Sequence, residues 1–270
     1  LAAFFSIPWV LRWFLALRPM PPGPMRERLE ATARRLGFRL GNILVWNTRS
    51  TVANAMVTGV LPWMRYVVVP DRLLEDMTAE EIAGVFGHEI GHVKHGHMLF
   101  YVLFMLTSFV ALGAAWHLGA AFVQQPQVQA WLQTNWPSLT AFFADNEVVI
   151  LIPLLALAAA YMIVVFGYLS RRCERQADIC GAQTASAQDF INALEKVALI
   201  NGIPRDKPGW LSSWQHGTIA QRVAFLEQMR DDPAVATRFQ RRVSLVKWGV
   251  AASLAGMVAF LGPGRVGGVL

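Results

Sequence analysis

The sequence predicts a mainly α-helical integral membrane protein, in which a domain with a small β-sheet is interrupted by a transmembrane helical hairpin. Three observations predict it. Hydrophobic residues make up 54% of the 270 and charged residues only 16%, where soluble domains run near a quarter charged. Two apolar runs, Met98–Val123 and Val148–Leu169, each reach the ~20 residues that a bilayer-spanning helix needs. Ahead of them lie three short β-rich runs, Ile43–Trp46, Val52–Val57 and Tyr66–Val69, the signature of a small sheet.

The elements follow in order. Residues 1–17 are apolar apart from Ser6 and Arg12 and predict part of a transmembrane or interfacial helix. Leu1 lies inside that run and is not read as a native start. Arg12 and the lack of a small-residue cleavage site argue against a signal peptide. Residues 18–97 form the first part of the interrupted domain. Arg18 to Pro24 is a proline-rich linker, since proline cannot continue a helix interior. Met25–Gly37 has helical spacing, with Leu29, Ala33 and Leu36 on one stripe and Gly37 as the stop. Gly59 and Pro62 separate the last two β-rich runs. Thr78 and Glu81 form a capping box, with Met77 and Ile82 placed as a hydrophobic staple. The helix they start carries His88-Glu89-Ile90-Gly91-His92.

Residues 98–123 are the first span. Residues 124–147, rich in Gln and Trp, are expected as an extracytoplasmic loop. Residues 148–169 return across the membrane, with Pro153 near the start. Residues 170–243 complete the domain, with helices over Arg171–Gln188 and Thr218–Arg230 and a loop marked by Pro204 and Pro208. Residues 244–262 are a possible further span, in which Lys247 must snorkel.

The net charge of +6 is read as basic residues held on the cytoplasmic side. No aromatic-interleaved basic patch is present, so no nucleic-acid partner is expected. The 124–147 segment has no Lys or Arg, whereas Lys94, Arg171, Arg172 and Arg175 flank the hairpin on its other side. The protein is therefore expected to be multi-pass, with its soluble parts in the cytoplasm. Cys173 and Cys180 are seven apart on a helix, about 10 Å at 1.5 Å per residue, too far to bridge. Both read as reduced packing residues.

His-Glu-x-x-His on a helix points to metal chemistry. His88 and His92 are one turn apart, so both imidazoles leave one face and can bind one ion. Glu89 stands beside them as a general base for a water that the ion activates. Gly84, Gly87 and Gly91 each cost roughly 1 kcal/mol in a helix interior relative to Ala. They are read as places where another backbone or a ligand comes close. A catalytic zinc ion needs a third protein ligand. His95 and His97 lie three and five residues past His92, off the ligand face, and read as polar residues at the membrane interface. Glu174 is the better candidate. Two spans separate it from the His88 helix, and an even number of crossings returns the chain to the side it left. Asp178, one turn on, is placed to accept the other ring N–H of a ligand histidine. On residue chemistry alone, Arg171 to Arg175 is equally an ordinary charged cluster after a span.

The run from Asn54-Ala55 through Tyr66-Val67-Val68-Val69, Glu80-Glu81, His88-Glu89-Ile90-Gly91-His92 and Ser170-Arg171-Arg172-Cys173-Glu174-Arg175-Gln176-Ala177-Asp178 resembles the membrane zinc metallopeptidases of the HtpX heat-shock protease and CAAX prenyl protease family, over roughly residues 25 to 230. The resemblance implies a zincin-like catalytic domain with Zn2+ on His88, His92 and Glu174, Glu89 as catalytic base and Asp178 in support. It places His216 and Arg222 near the active site, although Gly217 stands where that family usually has proline. Val52–Met56 is a candidate edge strand for extended substrate, to which Asn54 could add an amide contact; a plain core strand is the alternative. The implied activity is peptide-bond hydrolysis in membrane or membrane-associated proteins, as quality control. The alternatives are CAAX-type processing of lipidated substrates and a non-enzymatic zinc-binding scaffold, which would have no use for Glu89.

Overall fold

The computed structural model describes residues 2–59, 62–145, 151–206, 209 and 213–261. Glu147, the start of the second span at Val148, Pro208 and the last residue of the 244–262 segment lie outside them. By internal contacts the chain forms two units, one from Leu1–Met98 with Ser170–Val243 and the other from Leu99–Leu169 with Ser244–Leu270.

The first unit begins with helix α1 (Ala2–Phe14) and strand β1 (Arg18–Pro19). Helix α2 (Pro24–Arg35) starts on a proline, whose fixed φ suits a first turn, and Gly37 (φ +65°) ends it in the left-handed region. Strands β2 (Asn42–Trp46), β3 (Met56–Thr58) and β4 (Tyr66–Pro70) complete one sheet of order β1-β2-β4-β3. β2 pairs parallel with β4, Ile43 opposite Val67, while β1 and β3 pair antiparallel at the two edges. Every residue of β4 is buried, which is why it reads as an unbroken apolar run rather than an alternation. The Tyr66 hydroxyl donates to the Pro8 carbonyl and ties α1 to the sheet.

The strand expected over Val52–Val57 is shorter, Met56–Thr58. The chain ahead of it is committed elsewhere. Thr48 and Ser50 direct their backbone N–H groups to the Asp71 carboxylate, and Arg49 and Ser50 turn at positive φ. Ala53 is then held by a side chain rather than a strand. The Asn201 amide accepts from its N–H (3.4 Å) and donates to its carbonyl (3.1 Å).

Helix α3 (Asp71–Asp76) leads into α4 (Ala79–Lys94). The capping box is formed. Glu81 N–H donates to the Thr78 hydroxyl (3.3 Å) and Thr78 N–H to the Glu81 carboxylate (2.8 Å). The apolar face of α4, with Ile82, Phe86 and Ile90, packs into the main core beside Val67, Leu73 and Phe190. Helices α9 (Gly167–Thr184), α10 (Ala187–Ile200) and α11 (Ile219–Asp231) close that core. The helix expected over Arg171–Gln188 is divided. α9 stops at Thr184, and the Ser186 hydroxyl caps α10 by accepting the Asp189 N–H (3.0 Å).

In the second unit, α5 (His97–Val123) is long and apolar, and it continues two residues from the first unit. The segment expected as a loop holds two helices, α6 (Pro126–Asn135) and α7 (Pro137–Asp145). Each begins on a proline, the residue that most cleanly opens a helix without continuing one. Helix α8 (Leu151–Tyr161) runs through a π-helical stretch, Met162–Phe166, directly into α9. Ser108 bonds Tyr161 across the hairpin (3.0 Å), and Phe104 lies against Tyr161 and Phe166. The final helix, α12 (Ala234–Leu261), is longer than the expected span. Lys247 lies 5.6 Å from the Phe100 ring centre. Among the described residues three helices are long and apolar enough to cross a membrane: His97–Val123, Leu155–Thr184 and Ala234–Ala259.

Candidate metal centre

The site lies wholly in the first unit, on α4, α9, α11 and the turn before α11. Its assembly depends on how closely α4 and α9 approach. A Cβ on Gly87 would lie 2.2 Å from the Thr184 hydroxyl, and one on Gly91 would lie 3.0 Å from the Ala177 Cα. Any larger residue would push the helices apart. The glycines of the motif helix thus bring Glu174 to the histidines.

His88, His92 and Glu174 offer three ligand atoms within 4.8 Å of one another. The two Nε2 atoms are 3.2 Å apart, and Glu174 oxygens lie 3.7 Å from His88 Nε2 and 3.6 Å from His92 Nε2. A tetrahedral zinc ion with ligands about 2.0–2.1 Å away would separate its ligand atoms by about 3.3–3.4 Å. Two imidazoles and one carboxylate at this spacing therefore fit zinc. Among the described residues no other three His, Cys, Asp or Glu side chains meet in this way.

The surrounding groups hold the three. Asp178 is fully buried, and its Oδ1 lies 3.0 Å from His88 Nδ1. Arg222 grips Asp178 with two donors, Nε to Oδ2 at 2.9 Å and a terminal nitrogen to Oδ1, and approaches Glu174 at 3.8 Å. Burial alone would lower the Arg222 pKa, but Asp178 and Glu174 more than offset it and hold it above its ordinary value. His216 Nδ1 lies 3.1 Å from Glu174 Oε2, on a side chain that is 60% exposed. Its turn is anchored by Arg171, which donates to the Trp214 carbonyl (2.8 Å). Gly217 has φ +75°, which proline cannot adopt. Asn54 is exposed and precedes β3 rather than lying in it.

Glu89 lies near the backbone N–H of Val57 in the edge strand β3, which favours its charged form. Burial pushes its pKa up to about 7, with Glu174 adding to the rise and His88 opposing it. A bound cation would lower it again. Burial and the neighbouring His88 take His92 down to about 4. For His88 burial also lowers the pKa, but contact with Asp178 wins and raises it.

His97 is a correction. Expected as a polar residue at the membrane interface, it is 1% exposed and lies 2.9 Å, Nδ1 to Nδ1, from His92, on the side away from Glu174. Its Nε2 meets Gln176 Oε1 at 3.1 Å. Helix α4 ends at Lys94, Gly96 turns at φ +62°, and α5 starts at His97. The break returns the ring to His92, which an unbroken helix would not do. The signal available in the sequence was Gly96 itself, a helix stop between two histidines.

A helix-borne histidine pair joined by a distant helical glutamate, with a carboxylate between the histidines, is the arrangement of the gluzincin class. The family model for peptidase family M48 matches residues 22–230, and the chain belongs to that family. CAAX prenyl protease 1 of Saccharomyces cerevisiae is 25% identical over 240 residues, covering 83% of this chain and 52% of that protein. Protease HtpX of Chromohalobacter salexigens is 30% identical over 202 residues, covering 72% and 63%. The crystal structure of S. mikatae Ste24p has the same fold, with a TM-score of 0.58 at 22% identity over 83% of this chain and 55% of that one. The chain spans about half the length of the curated relatives it matches. Family membership and three membrane-capable helices make this an integral membrane protein.

Proposed function

We propose that this chain is a zinc-dependent endopeptidase that hydrolyses peptide bonds of membrane or membrane-associated proteins, in protein quality control. The observation that carries the reading is the 3.2–3.7 Å spacing of the His88, His92 and Glu174 donor atoms beside a carboxylate that is not a ligand. Zinc held there supplies Lewis acidity, which polarises a carbonyl and lowers the pKa of water. Glu89 takes the proton of the attacking water and passes it to the leaving amine. Asp178, fixed by Arg222, keeps His88 oriented. His216, open to solvent, is the donor available to the developing oxyanion, while Arg222 is engaged with Asp178.

Substrate docks in extended form along β3, the edge strand beside Glu89. The Val57 N–H meets Glu89, so a strand laid there passes the base, and Asn54 lies just beyond. The active site faces the cytoplasm of a bacterial inner membrane, as the distribution of Lys and Arg supports. The second reading, processing of lipidated substrates, is supported by the similarity to CAAX prenyl protease 1 over most of this chain. A prenylated peptide cleaved in preference to an unfolded membrane protein would favour it. The decisive experiment is metal analysis of the purified chain, paired with proteolysis of an unfolded membrane protein. Zinc near one equivalent, activity lost to a chelator and restored by zinc are expected. Full activity in a metal-free preparation would end the proposal.

A further inference from the structure

We propose that His97 and Gln176 are positioning residues, a relay that fixes which nitrogen His92 presents to the metal. The inference rests on the reading of His92 as a ligand and adds residues that the motif does not contain.

The argument is one of donors and acceptors. Both residues are buried, His97 at 1% and Gln176 at 2% exposure. An amide oxygen only accepts, so at 3.1 Å from Gln176 Oε1 the His97 Nε2 carries a hydrogen. A neutral imidazole has one N–H, so His97 Nδ1 is then a lone pair. It lies 2.9 Å from His92 Nδ1, which must supply the hydrogen between them. His92 Nε2 is left as a lone pair, facing His88 Nε2 and Glu174, where a metal takes it. Turning the Gln176 amide over reverses every step and leaves a hydrogen on His92 Nε2, where it blocks the metal. The Gln176 amide, two residues beyond Glu174, thus favours the tautomer in which His92 can be a ligand. His88 is supported differently, with its other nitrogen against the Asp178 carboxylate. Groups that orient a ligand histidine typically change metal affinity or activity about 10–100-fold when lost.

The test uses the full chain in detergent, with zinc affinity measured by competition against a chelator and the His92 tautomer read by 15N NMR. Gln176→Leu removes the acceptor and His97→Phe removes the partner of His92. Each should weaken zinc binding about 10–100-fold and leave the His92 ring in mixed tautomers. Gln176→Glu can only accept, so it should keep both wild-type affinity and a His92 ring with hydrogen on Nδ1. Wild-type affinity in Gln176→Leu and His97→Phe, or hydrogen on Nε2 of His92 in the metal-free wild type, would overturn the relay. A variant that fails to fold leaves Gln176→Glu and the wild-type tautomer to decide. A wild-type chain that binds no zinc would instead sink the metal-centre reading, and the tautomer measurement would still judge the relay.

Discussion

In the proposed mechanism each charged residue at the centre has a distinct task, and substitution separates them. Glu89→Gln keeps the shape and every donor to the metal but removes the base. Cleavage should fall below detection while zinc content, measured on the same preparation, stays at the wild-type level. Near wild-type turnover would show that another group takes the proton. Glu174→Ala removes a ligand and should deplete zinc outright. Asp178→Asn should weaken binding about 10–100-fold, because it removes only support. Equal zinc content in wild type and Glu174→Ala would reject the third-ligand assignment. Arg222 and Asp178 form a buried pair, with side chains 10% and 0% exposed. Breaking such a pair leaves a charge without its partner and costs about 3–5 kcal/mol. Arg222→Met should therefore lower the thermal unfolding midpoint as well as activity, whereas Glu89→Gln should not lower that midpoint.

At the scale of elements, the approach of α4 to α9 sets the metal geometry. Gly87→Ala would drive its Cβ into Thr184 at both Oγ1 (2.2 Å) and Cβ (2.5 Å). Rotation of the threonine side chain relieves only the first. Overpacking of this kind costs about 1–3 kcal/mol. The helices must separate, so zinc affinity should fall together with stability. Thr184→Gly in the same chain removes the obstructing atoms and should recover part of both. Gly87→Ala with unaltered zinc affinity would show that the helices can yield without moving Glu174. The Thr78 cap offers a contrast. Thr78→Ala should cost about 1 kcal/mol and lower the unfolding midpoint, but with the α4–α9 contact intact it should leave zinc affinity near that of the wild type.

At the scale of the whole molecule, the prediction concerns sidedness. The 124–147 segment carries no Lys or Arg, whereas Lys94 precedes the first span and Arg171 and Arg172 follow the second. On the proposed orientation this asymmetry predicts that the segment lies across the membrane from the catalytic residues. Cys173 and Cys180 are buried and form no disulfide, so a background lacking both can carry single reporters. A cysteine at Gln129 should react with a membrane-impermeant thiol reagent on intact cells, and one at Arg230 should not. The reverse pattern would put catalysis outside. Labelling of both would mean that one of the two spans does not cross.

The sequence by itself determined the features that depend on near neighbours. The α4 capping box, the His88–His92 face and the stop at Gly37 each follow from residues within two turns of one another. The apolar runs marked their helices because burial from water needs only composition and length. The three glycines signalled a close approach without saying to what. Tertiary structure decided the rest. Ala53 left the strand because Asn201, 148 residues away, bonds its backbone. Glu174 reaches the histidines because Gly87 and Gly91 admit α9. His97 meets His92 because the chain turns at Gly96, and Gln176, 79 residues on, meets the far side of its ring. Which nitrogen holds a hydrogen depends on what faces it in space, and residues so far apart in sequence meet only once the core has closed.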